Sequence, residues 1–147
     1  MDFNKSEEHL AIEASIEKFA RNEMAPLARE LDEKSEFPME LWRKMGQLGY
    51  CGLLLEEKYG GSNLGAVGSV LAMQAAGRGG ADQGTCLSWA SHMVIASLNI
   101  QTWGTEEQKE KYLPKMASGE WIGAMALTEP GSGSDASSLT TRATLKG

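Results

Sequence analysis

An apolar run, Trp121-Ile-Gly-Ala-Met-Ala-Leu127, passes directly into Thr128-Glu-Pro-Gly-Ser-Gly-Ser-Asp135. No other stretch restricts the fold as much. The run has strand length and apolar side chains at both parities, which suits a strand covered on both faces. The turn after it gathers hydroxyls, carboxylates and glycines. Ser138-Leu-Thr-Thr-Arg-Ala-Thr-Leu145 then alternates roughly and carries threonines, so it reads as a second strand. A two-stranded hairpin is marginal alone. Residues 121–147 are therefore expected to open a β domain whose remainder is absent, with the second strand stopping at Gly147.

Ahead of this junction the chain reads as helix. Asn4 is a candidate N-cap with Glu7 three residues on. Ile12, Ile16, Phe19, Ala20, Met24, Leu27 and Leu31 recur at helical spacing, while Glu13, Glu17, Lys18, Arg21 and Arg29 can face water. Pro26 inside this pattern predicts a kink. A second helix starts at Phe37-Pro38, with Leu41, Met45 and Leu48 as its stripe, Trp42 beside it and Gly49 as its stop. Residues 50–64 read as a connection. Leu64, Val67, Leu71 and Ala75 mark a third helix, rich in Gly and Ala and so expected to be buried, ending at Gly77 and Gly79-Gly80. Asp82 caps a fourth, running to about Trp103 and apolar on much of its circumference. Thr105 caps a fifth with Gln108 in a capping box; Pro114 should loosen its last turn before Gly119 stops it. The fold class is mainly α: a helical domain of about five helices over 1–120, then the first strands of a truncated β domain over 121–147.

Composition narrows the function classes. The chain has 147 residues, 41% hydrophobic and 23% charged, the size and balance of one globular domain. A net charge of -6 leaves no basic stripe for nucleic acid. Cys51 and Cys86 have no metal-ligand spacing and suggest small apolar residues in a reducing compartment. The start, Met1-Asp-Phe-Asn4, has no signal-peptide pattern, and no run approaches the ~20 apolar residues of a membrane span. A cytoplasmic location is expected.

The chemistry readable from residue types alone leaves alternatives open. Gly131 and Gly133 permit unusual backbone angles and could let amides converge on an anion or a heteroaromatic edge. The turn is then either a cofactor-binding loop or a hairpin connection whose Ser and Asp satisfy their own backbone. Gly131-Ser-Gly133 lacks the G-x-G-x-x-G spacing, and the phosphate-loop motif is absent. His92 has no His or carboxylate four positions away, which favours a satisfied core histidine; His9 reads as solvated. Leu87, Ser88, Ser91 and Ile95 share one face of the fourth helix, as packing surface or as the wall of an apolar ligand channel. Spacing supports no Ser-His-Asp or Cys-His arrangement.

Taken whole, Ala124-Met-Ala-Leu-Thr-Glu-Pro-Gly-Ser-Gly-Ser-Asp135 resembles the signature of the acyl-CoA dehydrogenase family. Phe19-Ala-Arg-Asn-Glu-Met-Ala-Pro26, Leu48-Gly-Tyr-Cys-Gly-Leu-Leu54 with Tyr59-Gly-Gly61, and Gly104-Thr-Glu-Glu-Gln-Lys-Glu-Lys-Tyr-Leu-Pro114 extend the resemblance over essentially the whole chain. It implies an N-terminal helical domain, a middle β-barrel and a C-terminal four-helix bundle, of which this chain would hold the first and the opening of the second. It implies FAD, with Met125, Leu127 and Thr128 against the flavin, Thr128 on its pyrimidine edge, Gly133 in the same turn and Ser134 where cofactor and CoA substrate meet. Many relatives have an aromatic residue where Met125 stands. The family's fourth helix borders the acyl channel, which assigns Leu87, Ser88, Ser91 and Ile95 to substrate. The implied reaction removes the α-proton of an acyl thioester with a carboxylate base while the β-hydride passes to flavin N5. No position here matches the family's glutamate base, so the chain is expected to lack a catalytic residue and to be inactive and FAD-free alone. The implied partners are acyl-CoA, an electron-transfer flavoprotein and, at full length, three further copies in a tetramer. Acyl-carrier-protein dehydrogenases, acyl-CoA oxidases and a non-catalytic helical interaction module are the alternatives.

Overall fold

The computed structural model describes residues 4–146. The expectations placed on Met1–Phe3 and on Gly147 lie outside them. Among the described residues five helical bodies build the domain. Helix α1 runs unbroken through Glu7–Phe19, a π-helical stretch Ala20–Met24, and Ala25–Lys34. Helix α2 is Met39–Gln47 and α3 is Gly65–Gly79. Helix α4 joins Gln83–Ala90, a second π stretch Ser91–Ser97, and Leu98–Trp103; α5 is Glu106–Ala117. The helical expectation holds, with local differences that have physical reasons.

The N-cap of α1 is Ser6 rather than Asn4. The His9 N–H donates to Ser6 Oγ at 3.1 Å and the Ser6 N–H donates to His9 Nδ1 at 3.4 Å. An imidazole thus does the work of the expected Glu in a capping box. Pro26 does not break the helix. The ladder widens one turn ahead of it, where the Ala25 N–H donates to the Ala20 carbonyl, so Pro26 falls in the first turn of the next α segment, where its missing donor costs little. Pro114 is accommodated within α5, which continues to Ala117.

The core forms where α1 crosses α3. Gly79 lies against Ala20, and a Cβ there would stand 2.5 Å from the Ala20 Cβ. So close an approach leaves room only for small side chains, so the buried face of α3 is Gly68, Ser69, Ala72, Ala75, Ala76 and Gly79. Val67, expected in the buried stripe, is exposed, and Leu71 is half-buried. On α2, Leu41, Trp42 and Met45 are buried, but Leu48 lies past the helix end, exposed, before Gly49 at φ 78°. Ile16, Met24, Trp42, Leu53, Trp89 and Met93 fill the centre. Both buried indoles are satisfied: Trp42 Nε1–H donates to the Gly119 carbonyl at 3.0 Å and Trp89 Nε1–H to the Tyr50 carbonyl at 2.8 Å. Connection 50–64 contributes two 3-10 turns, Tyr50–Gly52 and Glu57–Tyr59. Glu13, expected in water, is buried between Lys5 at 2.6 Å and Arg78 at 3.0 Å, the latter 65 residues away in sequence.

The strands expected over 121–146 are not visible in the described residues. Among the described residues neither Trp121–Leu127 nor 138–145 forms a strand, and the antiparallel pairing there is the isolated bridge Glu129↔Ser132. The run is largely exposed, not covered on both faces. Among the described residues no strand lies alongside to complete a sheet, and a hairpin alone is marginal in water.

Candidate cofactor and acyl site

Two pieces of surface carry the predicted residues, and one buried ring joins them. The first is the run leaving α5. The Trp121 N–H donates to the Lys115 carbonyl at 3.0 Å, and the indole lies between Tyr112, centroids 5.9 Å apart, and the Lys115 ammonium, 4.4 Å from its centroid. Two residues on, the Gly123 N–H donates to His92 Nδ1 at 2.9 Å. The other ring nitrogen, Nε2, is 3.1 Å from the Met116 carbonyl. An amide can only donate and a carbonyl can only accept, so these partners require the neutral tautomer with its proton on Nε2. Burial pushes the His92 pKa below its ordinary value, and the Met116 carbonyl opposes this in part. Trp42 meets the imidazole edge-on at 5.0 Å. His92 is thus a satisfied core histidine; His9, by contrast, is a capping group and half-buried.

Beyond the anchor the run leaves the core. Met125 is 46% and Leu127 49% exposed, and Thr128 is exposed. The turn then closes on itself. The Glu129 N–H donates to the Ser132 carbonyl at 2.9 Å and the Ser132 N–H returns to Glu129 at 3.1 Å. Ser132 is buried, its hydroxyl donating to the Asp135 carbonyl at 2.6 Å. Asp135 Oδ1 accepts from the Ser137 N–H at 3.1 Å and from the Ser137 hydroxyl, which lowers its pKa. The Glu129 carboxylate accepts from the Thr140 N–H at 2.8 Å, the Thr140 hydroxyl at 2.9 Å and the Thr141 N–H at 2.8 Å. Hydrogen bonds from Thr141 and then Thr140 hold its pKa down to about 2. A carboxylate so saturated with donors is a poor base, and both acids serve the construction of the turn. The glycines have a different part from the one expected. Neither Gly131 nor Gly133 is left-handed, and a Cβ at either would meet nothing within 4 Å. They leave the outer surface of the turn bare beside the exposed Ser134.

The second piece is α4. It is buried on one side, through Thr85, Trp89, His92, Met93, Ala96 and Ser97. Leu87 at 66% and Ile95 at 42% exposed, with half-buried Ser88 and Ser91, lie clear of the core. These four residues do share a free face, and the helix is buried on one side rather than all round. A further apolar groove of about 420 Å³ lies between α3 and α4, lined by Val70, Met73, Met93, Val94 and Leu98; periodicity did not single it out. Exposed Met125 and Leu127 offer apolar cover, Thr128 and Ser134 offer hydroxyls, and the glycines leave room. That set fits a flat heteroaromatic group with a polar edge.

Residues 6–120 match the family model described as acyl-CoA dehydrogenase, N-terminal domain. The chain belongs to the acyl-CoA dehydrogenase family. It is 40% identical to the short-chain specific acyl-CoA dehydrogenase of Clostridium acetobutylicum over 147 residues, covering 100% of this chain and 38% of that one. It superposes on butyryl-CoA dehydrogenase from Megasphaera elsdenii with a TM-score of 0.86 at 33% identity, covering 96% of this chain and 37% of the other. Acyl-CoA dehydrogenase from Bacillus anthracis, complexed with FAD, gives a TM-score of 0.84 at 42% identity over 92% of this chain and 23% of that one. This member of the family thus spans little more than a third of the curated relative. Its anchoring contact escaped the sequence reading because His92 and Gly123 are 31 residues apart. One signal was present: a glycine within an apolar run marks a close backbone approach.

Proposed function

We propose that this chain is the N-terminal portion of an FAD-dependent oxidoreductase that α,β-dehydrogenates acyl-CoA thioesters, with 1–120 as its helical domain and 121–147 as the start of its FAD-binding β domain. The observation that carries the reading is the segment Met125–Thr128, exposed, part apolar and part hydroxyl, and tied back to the helix that bears the free Leu87–Ile95 face. Met125 and Leu127 cover the ring system, Thr128 donates to its polar edge, and Gly133 and Ser134 border the junction with the CoA moiety. FAD, when bound, supplies an acceptor for the β-hydride of the thioester. Donors fixed at the polar edge stabilise the charge that builds there without reorganising. Leu87, Ser88, Ser91 and Ile95 line the acyl chain, the serines adding polarity to an otherwise apolar wall. Glu129 does not take the α-proton, because its carboxylate is already saturated by Thr140 and Thr141.

The partners proposed are acyl-CoA, an electron-transfer flavoprotein that reoxidises the enzyme, and three further copies in a tetramer. Two free thiols, Cys51 and Cys86, accord with a cytoplasmic setting. Among the described residues no helix is long and apolar enough to cross a membrane. The test is anaerobic titration of the purified full-length protein with butyryl-, isovaleryl- and palmitoyl-CoA. Flavin absorbance should bleach with at least one of them. A colourless protein, or a flavin that no acyl-CoA bleaches, refutes the proposal.

A further inference from the structure

We infer that His92 is a positioning residue: by holding the Gly123 amide it fixes where Met125–Thr128 lies relative to the acyl-wall face of α4. The inference rests on the proposed function for the identity of the two surfaces, but the linkage is a matter of geometry. The run 121–128 has no sheet to locate it among the described residues. Its attachments are the Trp121 N–H on Lys115, within the exit from α5, and the Gly123 N–H on His92, which reaches α4. The ring cannot swing, because Nε2 is held by the Met116 carbonyl and Trp42 packs against its edge. Gly123 cannot retreat into the core either. A Cβ there would stand 2.3 Å from Met116 Cε and 2.5 Å from the Ala96 Cβ, so the backbone lies directly on α4.

His92 lies on the π-helical stretch Ser91–Ser97. The Ser97 hydroxyl returns to the His92 carbonyl at 2.7 Å, and the Leu98 N–H donates to the Met93 carbonyl. The widened turn and the anchor therefore share one segment, whose free side carries Ser91 and Ile95. Such stretches recur where a helix must aim a side chain off its regular register. Moving the 125–128 segment by even ~1 Å against the wall would cost the proposed reaction about 10²-fold, because orientation of the reacting atoms is that sensitive.

The two ring nitrogens make the idea testable by isosteric halves. In His92→Asn the amide oxygen takes the place of Nδ1 and keeps the Gly123 bond; in His92→Gln the amide nitrogen takes the place of Nε2 and keeps only the Met116 bond. A positioning role predicts that rapid flavin reduction by acyl-CoA in the full-length holoenzyme stays within about threefold for Asn and falls about 10²-fold for Gln. A merely structural role affects both alike, and that result overturns the inference. A second readout needs no activity. In the 147-residue chain, ¹⁵N spectra of His92 should show Nδ1 unprotonated and Nε2 protonated, and the Gly123 amide should exchange slowly in native and Asn proteins and fast in Gln. Fast Gly123 exchange in the native chain also overturns the inference. If the native holoenzyme is never reduced by acyl-CoA while the Gly123 amide is protected, the proposed function fails, and the positioning role in it, with the His92–Gly123 contact intact.

Discussion

Gly79 is where the packing of the domain can be tested most sharply. An added Cβ would lie 2.5 Å from the Ala20 Cβ, 2.8 Å from the Glu17 carbonyl oxygen and 3.1 Å from the Arg21 nitrogen. Carbon atoms in contact prefer about 3.5–4.0 Å, so roughly 1 Å of separation must be found. Two of the three obstacles are α1 backbone and cannot rotate away. The helices must part, which also loosens the buried Ala72, Ala75 and Ala76. Overpacking of this kind costs about 1–3 kcal/mol, while replacing a helical glycine by alanine returns at most about 1 kcal/mol. Gly79→Ala should therefore destabilise by about 1–2 kcal/mol, and lower the midpoint of thermal unfolding by about 3–6 °C for a chain of this length.

Gly77 supplies the control two positions earlier on the same helix. It is exposed, and a Cβ there would meet nothing within 4 Å. Only the propensity gain remains, so Gly77→Ala should stabilise by about 0.5–1 kcal/mol. The pair is read by far-UV circular dichroism during thermal and urea unfolding. The reasoning is refuted if Gly79→Ala matches or exceeds the native stability, or if Gly77→Ala loses as much as Gly79→Ala.

Ser35 ends α1 at φ 53°, with the Ser35 N–H on the Asp32 carbonyl and the Glu36 N–H on the Leu31 carbonyl; Ser35→Gly should raise stability by about 0.5–1 kcal/mol by removing the left-handed strain, and a lower melting temperature contradicts this. For His92, burial lowers the folded pKa below the unfolded value of 6.5, so the unfolded chain binds the extra proton first. Its contribution is therefore complete above pH 6.5 and declines as pH falls from there toward the folded pKa, with a slope of at most about 1.4 kcal/mol per pH unit. Cys51, beside the ring, does not compete in this window because burial pushes its thiol up to about 12. Urea midpoints that do not fall between pH 6.5 and 5, or that fall equally in His92→Asn, tell against the assignment. For Glu129, the depressed pKa keeps the carboxylate charged through the ordinary acid range, so the Thr140 and Thr141 amide shifts should titrate near pH 2; titration near 4.5 would show that the clasp does not form. Trp42→Phe strands the buried Gly119 carbonyl and should cost about 1–3 kcal/mol by urea unfolding.

What could be read in the sequence was whatever depends on neighbours a few residues apart. Thr105 with Gln108, Asp82 with Thr85, and the left-handed stops at Gly49 and Gly80 are all local chemistry, and all occur. The signature residues drew attention to Met125–Thr128 and to the Leu87–Ile95 face, but their exposure was not legible: the apolar run read as covered on both faces and the fourth helix as buried. The rest depends on approach in space. Periodicity assigned Val67 to the core because it is apolar, whereas the closeness of α1 left room only for glycine, alanine and serine. Glu13 was placed in water because its partner Arg78 is remote in sequence. Pro26 signalled an irregularity, but the form it takes, a π turn just upstream, has no residue signature of its own. The strands expected after Gly119 are not visible for a related reason, since a ladder needs strands beside it.

The apolar character of 121–127 has two separate causes, and they bear on which function the chain serves. Trp121 and Gly123 are apolar because they close onto α5 and α4, with the indole on Tyr112 and the glycine against Ala96. Met125 and Leu127 remain about half exposed, and Leu87 and Ile95 are exposed on the helix that His92 joins to them. A freestanding helical module would gain solubility from polar residues at all four positions. An interaction module would also have no use for a hydroxyl-bearing turn whose two carboxylates are fully engaged in holding its own backbone. The same turn serves an enzyme well. Glu129 and Asp135 are engaged in the turn's own hydrogen bonds, while Thr128 and Ser134 stay exposed as hydroxyls for a ligand. Replacing Met125 and Leu127 together by Ser separates the two readings. A flavoenzyme should lose its flavin at unchanged helical stability, whereas a module should keep its fold and its partner unaltered.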